Sequence, residues 1–395
     1  MTSENGATGY VSARLRDQGG FALALAVFAL VLLAAVVAGG YFSASQEFQI
    51  GRGMRSMTSS FYAAEAGIRE VLDDWNPLTY GALEAGDSML IGPMTFEGGG
   101  SYTAKIKRVG ITADSVKRYF YIETAGRPPG AGLGERRQAV IARVRYPNIC
   151  CNAAVVAFES VRFGGGGSRT VEGMNVSPSG WPASACAGFP TDDAPGVIVQ
   201  AVDSIFGFDQ PNMITGSPAK IVAFPSMTFN GIFNFGDLSY NDLVALADHT
   251  FAGEVILSDS EPTVDANGRC DRSNNRNWGA PDSPGHPCFN YFPILHFMSD
   301  VDLRGSGSAQ GILLVDDDLF IRGSFDFYGI AIVKDDIVMS GPSDLWGGVI
   351  LGDDLQLSGG PSHLRLSRCV TERAERFSNL SRPRLISPRA WIELF

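Results

Sequence analysis

Carboxylates are the residues in this chain whose spacing most resembles chemistry. Aspartate recurs every eighteen residues, at Asp300, Asp318, Asp336 and Asp354, and Asp317, Asp335 and Asp353 precede three of them. Stacked repeats would bring such residues about 4.8 Å apart. At that distance adjacent charges repel by roughly 1 kcal/mol even in water, and Lys334 is the one local counter-charge. Two roles fit. The expected one is a turn aspartate that bonds backbone N–H groups. The alternative is a calcium ladder along Asp318, Asp336 and Asp354, held by carboxylate oxygens. An aspartate that returns once per repeat is the pattern of a scaffold rather than of a catalytic centre, so neither catalytic residues nor any other cofactor is expected.

The remaining candidates are weaker. Gly164 to Gly167 is followed by Ser-Arg, where a phosphate-binding loop needs Lys-Ser/Thr. Neither HExxH nor GxSxG occurs, and His249, His286, His296 and His363 are scattered. The six cysteines form no CxxC pair of the kind that holds structural zinc. Cys270 and Cys288 bracket a polar insertion, and a disulfide between them would stabilise it by about 3 kcal/mol. Cys186 can reach Cys150 or Cys151, whereas Cys369 is expected to lie too far away to join that group. A net charge of −11 argues against nucleic acid, which selects basic surfaces.

The elements that would position these residues are mostly strands. From Pro293, four blocks of eighteen residues align without gaps, with glycine at the thirteenth position (Gly305, Gly323, Gly341, Gly359). The ninth and eleventh positions are always apolar, as in Ile337 and Met339. Strands, aspartate turns and glycine corners at a fixed short period predict a β-solenoid over 293–364. Weaker copies, Ala153 to Gly165 and Ala219 to Gly231, extend it back to residue 152, with insertions at about 166–195 and 259–291. Residues 365–395 carry seven arginines and are expected to cap the solenoid end, with a helix over Val370 to Leu380 and with Trp391 and Phe395 beside it. Ahead of the solenoid, Tyr102–Val109, Arg118–Thr124 and Gln138–Tyr146 alternate as half-buried strands of a small antiparallel sheet over 76–147.

Residues Phe21 to Phe42 contain no charge. As a helix they would span roughly 33 Å, enough to cross a bilayer core. Arg14 and Arg16 precede them, which places the leader in the cytoplasm and the rest outside. The helical period continues through Phe61, Ala64, Ile68, Val71 and Trp75, and Asn76-Pro77 stops it. The expected fold is mainly β with one long N-terminal helix over 21–75.

The dipeptide Gly19-Gly20 just before the apolar run resembles the signal of type IV prepilins, and the stretch Phe61 to Ile68 (FYAAEAGI) resembles the helix of PilX-type minor pilins. That resemblance covers about residues 14–75. It implies a leader at 1–20, cleavage by prepilin peptidase between Gly20 and Phe21, and N-methylation of Phe21. The family usually has glutamate at the fifth mature position, and this chain has Leu25 there. The implied role is a non-enzymatic minor pilin or pseudopilin of a type IV pilus or related secretion system, primed in the inner membrane and displayed at the cell surface after assembly. Its partners would be other pilins or pseudopilins, with a surface or a glycan as ligand of the solenoid. Two other classes remain open: a membrane-anchored β-helix enzyme or glycan-binding protein, and a structural envelope protein.

Overall fold

The computed structural model describes residues 18–112, 116–130, 134–149, 152–207, 213–386 and 392–394. Arg14, Arg16, Cys150, Cys151, Trp391 and Phe395 lie outside them.

One continuous helix, α1 (Gln18–Asp73), opens the described chain. It ends just before Asn76, whose side-chain oxygen accepts the Leu78 and Thr79 N–H groups at 3.1 Å and turns the chain. Residues 21–42 are exposed all round. From Ser60 onward one stripe (Ser60, Ala64, Ile68, Val71) is buried instead. It lies on the antiparallel strands β2 (Ser101–Ile111), β3 (Lys117–Arg127) and β4 (Arg136–Arg145), with β1 (Ser88–Thr95) paired to β2 at the edge. Fully burying side chains such as Ile68, Ile106, Phe120 and Ile122 favours the contact by about 1.5–3 kcal/mol each. Glycine permits the close approach. A Cβ on Gly126 would stand 2.1 Å from the Ser60 carbonyl oxygen, and the Thr124 hydroxyl donates to the Ala64 carbonyl at 2.7 Å. The sheet is wider than the three expected strands: β1 adds one edge, and the chain's end adds Arg384–Leu385 and Ile392–Leu394 against β4.

The rest of the chain is mostly short parallel strands in three rows. In the first row, 294–297, 312–315, 330–333 and 348–351 lie side by side, each step shifting the sequence by eighteen residues. The second row (301–305, 319–323, 337–340, 355–358) keeps the same shift. A third row carries Ser308–Gln310, Asp326–Tyr328, Asp344–Trp346 and Ser362–Leu366. Each turn of chain therefore has three corners. One holds the aspartates, and one holds Gly305, Gly323, Gly341 and Gly359. The third, between the third and first rows, holds Gly311, Gly329 and Gly347. A Cβ on Gly329 would meet the Gly311 carbonyl oxygen at 1.8 Å, so no side chain fits this bend. The ninth and eleventh positions point into the core: Leu319, Ile321, Ile337, Met339, Leu355 and Leu357 are fully buried.

Spatial order departs from sequence order. The segment 155–172 stacks beyond 349–366, on the far side from 330–339. Val197–Val199, Ile205–Phe206 and Ile214–Thr215 follow outward, and Ile221–Ala223 is last. The chain then returns through short helices to the opposite end, where His249–Phe251 and Val255–Leu257 pair with 295–303. Winding thus starts in the middle, runs to one end, crosses over and runs back. The copy at 219–231 supplies only one strand, because Phe229–Ile232 turns helical. The first insertion is shorter than expected, because Arg169–Glu172 belongs to the third row.

The C-terminal helix Arg368–Phe377 packs on the flank of the stack rather than on its end. Its Arg373 is buried among the rings of Trp181, Phe289, Phe292 and Phe377, and burial pushes its pKa down to about 10. One guanidinium nitrogen donates to the Asn290 side chain and another to the Ala185 carbonyl.

Candidate functional site

The aspartate corner forms a continuous acidic edge. Carboxylate oxygens of Asp300, Asp317 and Asp318 lie within 4.8 Å of one another, and so do those of Asp318, Asp335, Asp336 and of Asp336, Asp353, Asp354. One oxygen of the eighth-position residue is already in use. Asp300 Oδ1 accepts the Asp318 N–H at 3.3 Å, Asp318 Oδ1 the Asp336 N–H at 3.1 Å, and Asp336 Oδ1 the Asp354 N–H at 2.9 Å. Each turn aspartate therefore ties one turn of chain to the next. Crowding leaves a mark on titration. Burial, helped by Asp336, Asp354 and Glu159, pushes Asp353 up to about 6, and burial also raises Asp317 and Asp318. Lys334 does not neutralise this edge. It bonds Asp316 at 2.6 Å, beside His296 and the Tyr240 hydroxyl. The counter-charge is Arg162, brought alongside by the non-sequential winding, at 2.8 Å from Asp354.

A second acidic group stands on the outer side of the third row. The strand registers set Asp326, Asp344, His363 and Thr170 in one line and Tyr328, Trp346, Arg365 and Glu172 in the line beside it. Arg365 bonds Asp344 at 2.7 Å and lies 4.7 Å from the Trp346 ring centre, and Trp181 stacks on Tyr328. Burial and the neighbouring Asp344 push Asp326 up to about 6. The regular repeat hides this cluster, because Glu172 and Thr170 come from a segment read as insertion.

Cys270 and Cys288 are bonded to each other. Cys186 is bonded to Cys369, not to Cys150 or Cys151. Cys369 would lie too far from Cys186 only if the turns stacked in sequence order. Because 155–172 sits against 349–366, the segment after Leu366 returns beside residues 183–186.

Phe21 and Leu25 stand near the start of α1, 72% and 52% exposed, so neither is held by this chain's own packing. An apolar helix surface exposed on every side needs lipid or a neighbouring protein to cover it.

No protein-family model matches the chain, and no curated protein does. Among solved structures, an ice-binding protein (LeIBP) from an Arctic yeast aligns over 56% of this chain and 93% of its own, at 10% identity and a TM-score of 0.28. The competence-associated pilin ComZ from Thermus thermophilus aligns over 86% of this chain and 97% of its own, also at 10% identity, with a TM-score of 0.24. Likenesses this weak carry no argument here. The functional reading rests on the helix and the strands themselves.

Proposed function

We propose that this chain is a non-enzymatic, pilin-like envelope subunit, anchored by α1 in the inner membrane before assembly and carrying a β-solenoid outward for surface contact. One observation carries the reading. A single helix is bare and apolar over residues 21–42, and its last turns, from Ser60 onward, bury one stripe on a small antiparallel sheet to which strands from the chain's C-terminal part are added. A free-standing soluble domain gains nothing from the bare apolar stretch, whereas a subunit that passes from membrane to filament needs it. Prepilin peptidase and other pilins or pseudopilins are the partners that follow, with Gly20–Phe21 as the processed bond and Leu25 marking a minor component. N-terminal mass spectrometry of the native protein tests this. The expected mature start is a methylated Phe21, and a start beyond residue 40 would overturn the proposal.

The second reading, an anchored solenoid enzyme, has one observation in its favour: the Asp326–Asp344–Arg365–Glu172 cluster. Release of reducing ends from polysaccharide by the wild type, abolished in Asp326→Asn, would favour it.

A further inference from the structure

The flank helix leaves part of the first row's outer side uncovered, and a cavity of 460 Å³ opens there. Its floor is one outward line of aliphatic side chains on three adjacent strands, Ile350, Val156 and Ile198. Further along the same line Leu314 and Ile332 are fully buried, so the exposure is local. The rim is lined by Asn148, Asn152 and Asn234, all exposed, and by the exposed Phe224. Among the described residues, no charged side chain lines it.

We propose that this cavity binds the acetamido group of a neutral N-acetylated amino sugar within a glycan. The volume falls in the range of small-ligand sites, and an apolar pocket with a few convergent polar groups is their usual form. An aliphatic floor suits a methyl group and would leave a hydroxyl unpaired, at a desolvation cost. Each asparagine offers both a carbonyl acceptor and two N–H donors, the complement of an amide and its neighbouring hydroxyls. The Phe224 ring offers a flat apolar surface to the C–H face of a sugar. Uronic and sialic acids find no counter-charge in the lining, and a chain of net charge −11 repels them from a distance.

The inference deepens the surface-contact part of the proposed function. It rests on that reading only for its use on a cell, because binding is measured on the purified chain. The full chain in detergent is titrated with N,N′,N″-triacetylchitotriose and followed by saturation-transfer NMR and calorimetry, with the deacetylated trimer and maltotriose as comparisons. The expected result is transfer strongest at the acetamido methyl, and binding at least tenfold weaker for both comparison sugars. Ile198→Trp, which fills the floor, and the rim variant Phe224→Ala/Asn234→Ala should each weaken binding at least tenfold, with unchanged melting certifying the fold. Equal binding of the deacetylated trimer, no transfer to the methyl, or full binding by a folded variant would each overturn the proposal. A mature start beyond residue 40 would remove the pilin reading and leave this one standing.

Discussion

Replacing Ile337 by aspartate should unfold the stack, while the same residue at position 356 should be tolerated. Ile337 is fully buried and sits in register between Leu319 and Leu355, themselves fully buried. Removing its side chain forfeits about 2–5 kcal/mol in transfer and cavity terms, and burying an unpaired carboxylate adds several kcal/mol more. Together these rival the roughly 5–15 kcal/mol that holds a typical domain together. Gln356 is exposed, and its cross-strand neighbours are Val338 and Arg162. An aspartate there faces a cation, so the expected change lies within about 1 kcal/mol and leans towards stability. Thermal melts of the full chain in detergent, read by circular dichroism and limited proteolysis, compare the two. If both variants melted alike, the inward and outward assignment of the ninth and tenth positions would be wrong, and the eighteen-residue register with it.

Acidification should stabilise the protein before it destabilises it. The folded pKa values of Asp353 and Asp326, about 6, exceed the ordinary carboxylate value, so the stability they contribute is fully present below about 4 and is lost as pH rises through 6. Moving from pH 7.5 to 5 should raise the melting temperature, by about 1 kcal/mol of stability per site after screening, and Asp353→Asn should remove its share of that rise. Below about pH 4 the trend should reverse, because Arg137 and Arg127 hold Glu135 under its ordinary value and its protonation breaks those bonds. A melting temperature flat between pH 7.5 and 5 would refute the crowding argument. For the disulfides, loop-closure entropy gives about 5 kcal/mol for the Cys186–Cys369 bridge, which spans 183 residues, and about 3 for the Cys270–Cys288 bridge, which spans 18. Denaturant titration of Cys369→Ala and Cys288→Ala variants, each with its partner also replaced, should rank them in that order, and the reverse order would sink the estimate.

Local features were legible because they follow from short-range rules. The apolar run from Phe21 and the stripe through Ile68 and Val71 are written in hydrophobic period, and the alternation around Ile337 and Met339 gives the strand faces directly. The order of stacking was not legible. Ala153–Gly165 resembles the later repeats, but resemblance carries no information about which neighbour a strand chooses, since any turn of the same shape offers an equivalent edge. The errors that followed, over Cys369, over Arg162 as the counter-charge and over the third-row cluster, share that one cause. The cavity on the first row was missed for another reason: its lining joins Asn148, Asn152 and Val156 to Ile198, Asn234 and Ile350, from segments that lie far apart in sequence and follow no period.

Winding from the middle has a structural consequence for the way the stack joins α1 and its sheet. A stack wound in sequence order would leave its first turn beside the sheet and its last turn at the far end, with the residues after Leu366 remote from α1. Here the last regular turn ends beside the first, so the residues after Leu366 emerge near the junction with the sheet. They lay the flank helix across the strands, bond Cys369 to Cys186, and place Arg384–Leu385 on β4. Ion pairs add to the same junction: Asp237 meets both Lys117 and Arg145, and Arg269 meets Glu70 and Asp74 of the helix region. The sheet that rests on α1 is therefore closed by strands from opposite ends of the chain. Unfolding either the sheet or the flank helix must disturb the other, so the stack and the sheet on α1 are mechanically coupled.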